Sequence, residues 1–378
     1  MKIKKIINLA KIHENLAKVG LNQAKIADEL AVSRETVSKW FKGENQPSGG
    51  KLLKLASLLK LSFEEILTLE ISQQPVIHFR KNGSAKTSEI DREAAIEMGN
   101  ALEKLVCYFP LNFTTKPAVL QHPKNDYGYI NEFIDKLKKE MNLTNEILTF
   151  NDIISIFYRY NSVIIPVLWK ENRRHVNALR VYLPESMSTW IYLNLNTKLY
   201  DFKFWMAHEL GHVLAPDLHN EEGEVFSDSF AGALLFPKSQ VEVLYNKLIG
   251  ENSERQQIHL IIEKAKELVI SPLSVYMQLC AFTECYKKTK IDLNHLIYKF
   301  NSKFNSYFPN VATKLFNTES PTPEQYINYV NSKFVPPFFV YLKKYIEEMS
   351  PSSYYIQNLL DISLVDARNI QHALINPK

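Results

Sequence analysis

The sequence predicts a mainly helical protein in which a small α+β core lies between an all-α N-terminal module and a helical C-terminal region. Three observations predict it. Apolar residues recur at three-to-four spacing through most of the 378 positions, the period of helices that bury one face. Strand patterns are confined to a central stretch, roughly residues 163 to 195. Positive charge is concentrated at one end: residues 1 to 62 hold twelve Lys or Arg against five Asp or Glu, a net +7 in a chain whose total is +4. A basic end of this kind is the electrostatic footprint of a nucleic-acid contact.

Residues 1 to 70 read as five short helices. The first carries Ile3, Ile6, Ile7, Leu9, Ala10 and Leu16 and is broken by Gly20-Leu21-Asn22. Asn22 is placed to cap a helix from Gln23 to Leu30, and Ser33 to cap the next, from Arg34 to Trp40. Two more follow over Lys51 to Leu59 and Phe63 to Leu67. The second and third helices have the lengths of a helix-turn-helix, whose second helix enters the major groove. The whole segment resembles the phage-repressor or XRE-type helix-turn-helix family, through Gln23, Ala27, Val32-Ser33, Val37, Trp40, Gly43, Pro47 and the Leu-x-x-Leu-Ala at 52–56. That resemblance implies double-stranded DNA as a partner and a homodimer as the binding form. It also implies that Arg34, Glu35 and Lys39 meet base edges while Gln23, Lys42 and the hydroxyls of Ser33 and Ser38 lie near phosphates. Arg and Lys suit guanine; Glu35 can accept from cytosine or orient Arg34. A helical module used only for protein contacts is the alternative, and the positive charge favours DNA.

Residues 71 to 88 are polar, are broken by Pro75 and Gly83, and read as a linker. Residues 89 to 148 read as a helical connecting region. One helix, capped by Ser88, carries Ile90, Ala94, Met98, Ala101, Leu102 and Leu105, and another spans Ile130 to Met141, with Pro110, Pro117 and Pro123 keeping the chain between them irregular. A core domain, 149 to 240, opens with a helix from Asp152 to Tyr160. Strands over Val163 to Trp169, Leu179 to Leu183 and Trp190 to Leu195 follow.

The chemistry is concentrated in Ala207-His208-Glu209-Leu210-Gly211-His212. Two histidines four residues apart project from one helix face, a spacing that two ligands of one zinc ion can use. Glu209 can take a proton from an attacking water and return it to a leaving amine. Twelve residues on, a second amphipathic helix carries Phe226, Phe230, Ala233 and Leu234 on its apolar stripe. Glu224 near its start can supply a third ligand, leaving one position open. Asp228, a turn later, can reach a ligand histidine and fix its tautomer. A solvated helix face is the plain reading of a lone His pair, and the second acidic helix argues against it.

The run from Met206 to His212, with Glu224 and the Phe-Ala-x-x-Leu-Leu-x-Pro ending at Pro237, resembles the ImmA/IrrE family of zinc metallo-endopeptidases. The resemblance implies a zincin-like metallopeptidase core and one zinc ion (Zn2+) per chain held by His208, His212 and Glu224. It implies Glu209 as the catalytic residue and a protein substrate or repressor as partner. Members often carry Ala-Asn where this chain has Ser227-Asp228, so the role of Asp228 rests on similarity to thermolysin-like zinc peptidases. Phe79-Arg80-Lys81 resembles a short segment that often follows the helix-turn-helix in fused members of the family. The strand before the zinc helix is expected to offer its edge to an extended peptide. His219 and His259 are candidates for the oxyanion donor.

Residues 241 to 378 read as helical, over Gln240 to Ile249, Gln256 to Val269, Pro272 to Phe282 and Asn294 to Tyr307, with an aromatic-rich end that suits sensing or partner binding. No apolar run approaches a membrane span, and Met-Lys-Ile-Lys-Lys lacks a signal-type core after it, so a cytoplasmic protein with no membrane partner is expected. Cys107, Cys280 and Cys285 are too few and too scattered for a disulfide framework, and Cys280 and Cys285 are expected to pack as small hydrophobes. The function expected is a DNA-bound regulator with a zinc endopeptidase that cleaves a partner. Its rivals are a transcription factor whose peptidase-like domain only senses a ligand or partner, and a zinc hydrolase of a small amide. Glu209 speaks against the sensor, because a structural zinc site has no use for it.

Overall fold

A computed structural model describes residues 2–41, 45–63, 65–72, 75–81, 89–111, 119–169, 176–304, 308–318 and 320–376. The chain divides into two compact units, Met1–Gln74 and Pro75–Lys378.

The first unit contains β1 (Lys2–Ile7), α1 (Leu9–Val19), α2 (Gln23–Glu29), α3 (Arg34–Phe41), α4 (Gly49–Leu58) and β2 (Leu67–Ser72). β1 and β2 pair antiparallel, with Ile3 opposite Ile71 and Lys5 opposite Leu69. The expected opening helix therefore starts only at Leu9, and among the described residues of 63–67 none is helical. The pattern explains both corrections. Leu67, Leu69 and Ile71 alternate with Thr68, Glu70 and Ser72, which is the period of a strand. Isoleucines of the first segment suit a strand once a partner lies beside them. Asn8 ends β1 and opens α1, its side chain accepting from the Lys11 amide. Ile12, Ile26, Val37, Trp40, Leu55 and Leu59 form the core of this unit.

The second unit contains β3 (Val76–Lys81), α5 (Glu89–Leu105), α6 (Tyr127–Glu140), α7 (Phe150–Arg159), β4 (Ser162–Val167), β5 (Val176–Leu183), β6 (Ser188–Asn194), α8 (Leu199–Leu214) and α9 (Asn220–Leu235). Among the described residues, nine helices follow: α10 (Lys238–Ile249), α11 (Glu254–Leu268), α12 (Pro272–Cys285), α13 (Asn294–Phe304), α14 (Val311–Phe316), α15 (Pro323–Lys333), α16 (Phe338–Met349), α17 (Ser353–Leu360) and α18 (Leu364–Ile375). The sheet order is β3-β5-β6-β4, with β4 parallel to β6 and the other pairs antiparallel.

The stretch expected as linker is in part sheet: residues 71 and 72 end β2, and residues 76–81 form β3. Pro75 fixes the start of β3 by packing on α5, so close to Gly99 that a Cβ there would lie 2.5 Å from the proline ring. A second correction concerns β6. It is paired on both sides, so the strand before α8 has no open edge, and β3 and β4 are the edges of the sheet.

Register decides which residues face where. Arg180 of β5 lies opposite His78 of β3 and Ile191 of β6, and cross-strand neighbours share a face. Val181, on the other face with Ile77 and Trp190, packs toward Gly99 of α5. That face also carries the C-terminal helices: Trp190 meets Phe109 at 4.8 Å, and the Tyr192 hydroxyl donates to the Leu359 carbonyl at 2.8 Å. Trp169 donates its indole N–H to Leu360 at 3.0 Å, and the Tyr326 hydroxyl donates to the Pro166 carbonyl. Residues 293 to 374 thus belong to the same apolar core as the sheet. Cys280 is half-buried as expected of a small hydrophobe, whereas Cys285, at the end of α12, is exposed. Among the described residues no single helix is long and apolar enough to cross a membrane.

Deleting residues 290–378 should therefore abolish the cooperative thermal unfolding of the second unit, because the aromatic face of β6 loses its cover. Circular dichroism melts of the truncated chain check this; a retained transition would show those helices to be dispensable.

Candidate functional site

α8 is apolar nearly all round, with Tyr200, Phe202, Trp205, Met206, Leu210 and Leu214 buried, so it runs through the core. The polar residues of its C-terminal half are carried inside with it: His208 is fully buried, and Glu209 and His212 are nearly so. α9 lies against α8 at its closest where Gly211 meets Ser227. A Cβ on Gly211 would come within 2.9 Å of the Ser227 Cα, so only glycine permits this approach.

The approach delivers Glu224 to the histidines. The Nε2 atoms of His208 and His212 are 3.0 Å apart, and Glu224 places Oε2 3.4 Å from the first and Oε1 3.2 Å from the second. A tetrahedral ion with nitrogen and oxygen ligands at ~2.0–2.1 Å holds its ligand atoms about 3.3 Å apart, so the triangle has the size that zinc requires. The donor chemistry fits as well. Asp228 Oδ1 lies 2.7 Å from His208 Nδ1, and a carboxylate only accepts, so Nδ1 carries the proton and Nε2 keeps its lone pair. Of the residues singled out in the sequence, the structure brings together His208, Glu209, His212, Glu224 and Asp228.

The two expected oxyanion candidates lie elsewhere on the molecule or at its edge. His259 is exposed on α11, in the field of Glu263. His219 caps α9 without a side-chain hydrogen bond and lies in the field of His78. Sequence reasoning passed over His78 and Arg180. Arg180 is half-buried, its Nη1 is shut off from solvent with no hydrogen-bond partner among the described residues, and the carboxylates whose charge reaches it are Glu209 and Glu224. His78 is pushed down to about 4, by burial first, then by Arg180 and by His219, and so is neutral at pH 7. Neither carries a local signal: His78 is exposed on β3, and the face that Arg180 occupies follows from its pairing with β3 and β6.

In the first unit α2 and α3 form the helix-turn-helix pair. Asn22 caps α2 by accepting from the Lys25 amide at 3.0 Å. Ala31, at φ +49°, turns the chain toward α3. Ser33 caps α3, its Oγ accepting from the Thr36 amide at 3.1 Å and sharing a hydrogen bond with Thr36 Oγ1 at 2.8 Å, so this hydroxyl is already engaged. Val37, Trp40 and Phe41 bury one face of α3. Arg34, Glu35 and Lys39 lie on its exposed side, while Ser38 and Gln23 are half-buried. Glu35 pairs with Lys39 at 3.0 Å rather than with Arg34. Lys42 lies outside the described residues.

A helix-turn-helix family matches residues 12–66. An uncharacterized HTH-type transcriptional regulator of Haemophilus influenzae is similar to this chain, 23% identical over 181 residues that cover 44% of the chain and 71% of that protein. No solved structure matches. Residues 12–66 are thus a helix-turn-helix domain.

The N-terminal half of α8 is anchored by Lys203, whose buried Nζ donates to the Leu268 carbonyl at the end of α11, at 2.8 Å. Burial lowers its pKa from 10.5 to about 8. Between those values the unfolded chain holds the proton and the folded chain does not, so stability rises with pH there. The contribution is complete above 10.5 and is lost as pH falls through 8. Relative to Lys203→Met, the wild type should gain about 2–4 kcal/mol between about pH 7.5 and pH 10.5. Denaturant titrations of both proteins across that range check it, and a constant difference would mean that Lys203 is not desolvated.

Proposed function

We propose that this chain is a DNA-binding transcriptional regulator whose second unit is a zinc-dependent endopeptidase that cleaves a protein partner such as a repressor. The helix-turn-helix domain implies the DNA contact. The observation that carries the peptidase reading is the convergence of His208 Nε2, His212 Nε2 and the Glu224 carboxylate, all within 4.8 Å of one another, beside the buried Glu209.

Zinc held by these three residues would supply a Lewis acid with an open position for substrate and water. The rest is the work of the chain. Asp228 accepts the His208 Nδ1 proton and keeps that ring in one tautomer. Glu209 takes the proton of the attacking water and gives it to the leaving nitrogen as the C–N bond breaks. A homodimer would present two α3 helices to two half-sites on double-stranded DNA. Because Glu35 and Lys39 neutralise each other, Arg34 is the base-reading cation of α3, and Lys39 joins it only when the exposed pair, worth about 0.3–0.5 kcal/mol, opens.

Purified protein should carry about one zinc per chain, and His212→Ala should lose it. Glu209→Gln should keep the metal and abolish cleavage of proteins co-expressed from neighbouring genes. Metal analysis with mass spectrometry of the co-expressed products reads both, and undiminished zinc in His212→Ala would sink the ligand assignment.

Residues 1–74 alone should bind duplex DNA with an affinity that falls steeply with salt. Arg34→Ala should relax preference at one base pair by about 1–3 kcal/mol. Fluorescence anisotropy on selected and scrambled duplexes checks this; unchanged discrimination would reject the docking.

A further inference from the structure

Arg180 is a group beside the site that the metal and the proton transfers leave unused. Its position follows from the sheet. On β5, Val181 faces α5, so the neighbouring Arg180 points to the opposite face, where His78 and Ile191 are its cross-strand partners. That is the side of α8 and α9: the charges of Glu209 and Glu224 both reach the guanidinium. Yet no hydrogen bond to either is formed, and Nη1 is shut off from solvent with no partner among the described residues. Burying a cation is costly unless its N–H groups are satisfied. Its Nη1–H is thus left as an unused donor within the field of both carboxylates.

We propose that Arg180 is the oxyanion donor of the site, binding through Nη1–H the carbonyl oxygen of the peptide bond under attack. The assignment rests on the peptidase reading. When water adds to the carbonyl carbon, a C–O bond forms, the π pair moves onto the carbonyl oxygen, and the water proton passes to Glu209. The negative charge would then be met by a fixed Nη1–H that is already out of water, which limits reorganisation at that moment. On collapse the pair returns to carbon, the C–N bond breaks, and Glu209 hands its proton to the departing amine. His78, neutral beside the guanidinium, adds no competing charge.

The test uses the full chain loaded with zinc, and inorganic phosphate as a tetrahedral oxyanion probe. Calorimetry should show zinc-dependent phosphate binding that weakens at least tenfold in Arg180→Gln and partly recovers in Arg180→Lys, with zinc content and melting curves unchanged. On a cleaved substrate, Arg180→Gln should lower kcat by roughly 10²–10³ with little change in KM, whereas an arginine that only binds a substrate carboxylate would raise KM. A wild-type chain that takes up no zinc overturns the peptidase reading and this assignment together. If zinc is taken up but phosphate is not bound, or is bound equally by wild type, Arg180→Gln and Arg180→Lys, the assignment fails and the peptidase reading stands.

Discussion

The contact between Gly211 and Ser227 sets the spacing on which the candidate site depends. Two helices that met through ordinary side chains would have axes about 8–10 Å apart. Here one partner is glycine, and the α9 backbone sits where a Cβ would be. Glu224 is three residues, nearly one turn, before Ser227, so the closeness passes directly into the distance between its carboxylate and the two imidazoles. The bulky residues of α8 on either side of Gly211, Leu210 and Leu214 among them, are fully buried and keep the helix from sliding. Glycine would ordinarily weaken a helix interior by about 1 kcal/mol relative to alanine. The packing of α8 in the core offsets that cost.

Charge gives a second view of the same place. Glu209, Glu224 and Asp228 bring three formal negative charges, Arg180 one positive charge, and His78 none. Carboxylates thus outnumber cationic side chains at this place. His208, with its Nδ1 held by Asp228, adds a nitrogen donor to this acidic surrounding.

How much of this could be read in the sequence varies with the range of the interaction. The zinc-type motif, its third carboxylate and the capping residues Asn22 and Ser33 are local patterns, and local patterns survive in a string of letters. The helix-turn-helix was legible for the same reason, and a helix-turn-helix family matches residues 12–66. What was missed is non-local. Lys2–Ile7 carries a run of isoleucines that fits either period, and only the remote Leu67–Ser72 makes it a strand. Val76–Lys81 looked like linker because Pro75 and Gly83 bracket it, yet its place is decided by β5, a hundred residues later. Arg180 could not be singled out before β3 and β6 fixed which face it occupies. The strand edge expected beside α8 failed likewise, since a strand's neighbours are not written next to it.

The hydrogen bonds from Trp169 and Tyr192 to the carbonyls of Leu360 and Leu359 bridge 191 and 167 positions of chain. During synthesis those acceptors do not exist until long after the helix-turn-helix has left the ribosome. At ~5–20 residues per second the interval is roughly 15–60 s. Throughout it the first 74 residues, which have a core of their own, can fold, while the sheet that carries Arg180 still lacks the cover over its aromatic face. Translation itself therefore orders the two halves in time: the helix-turn-helix unit can be finished first, and the sheet beneath the candidate site is covered only after Leu359 and Leu360 have been made.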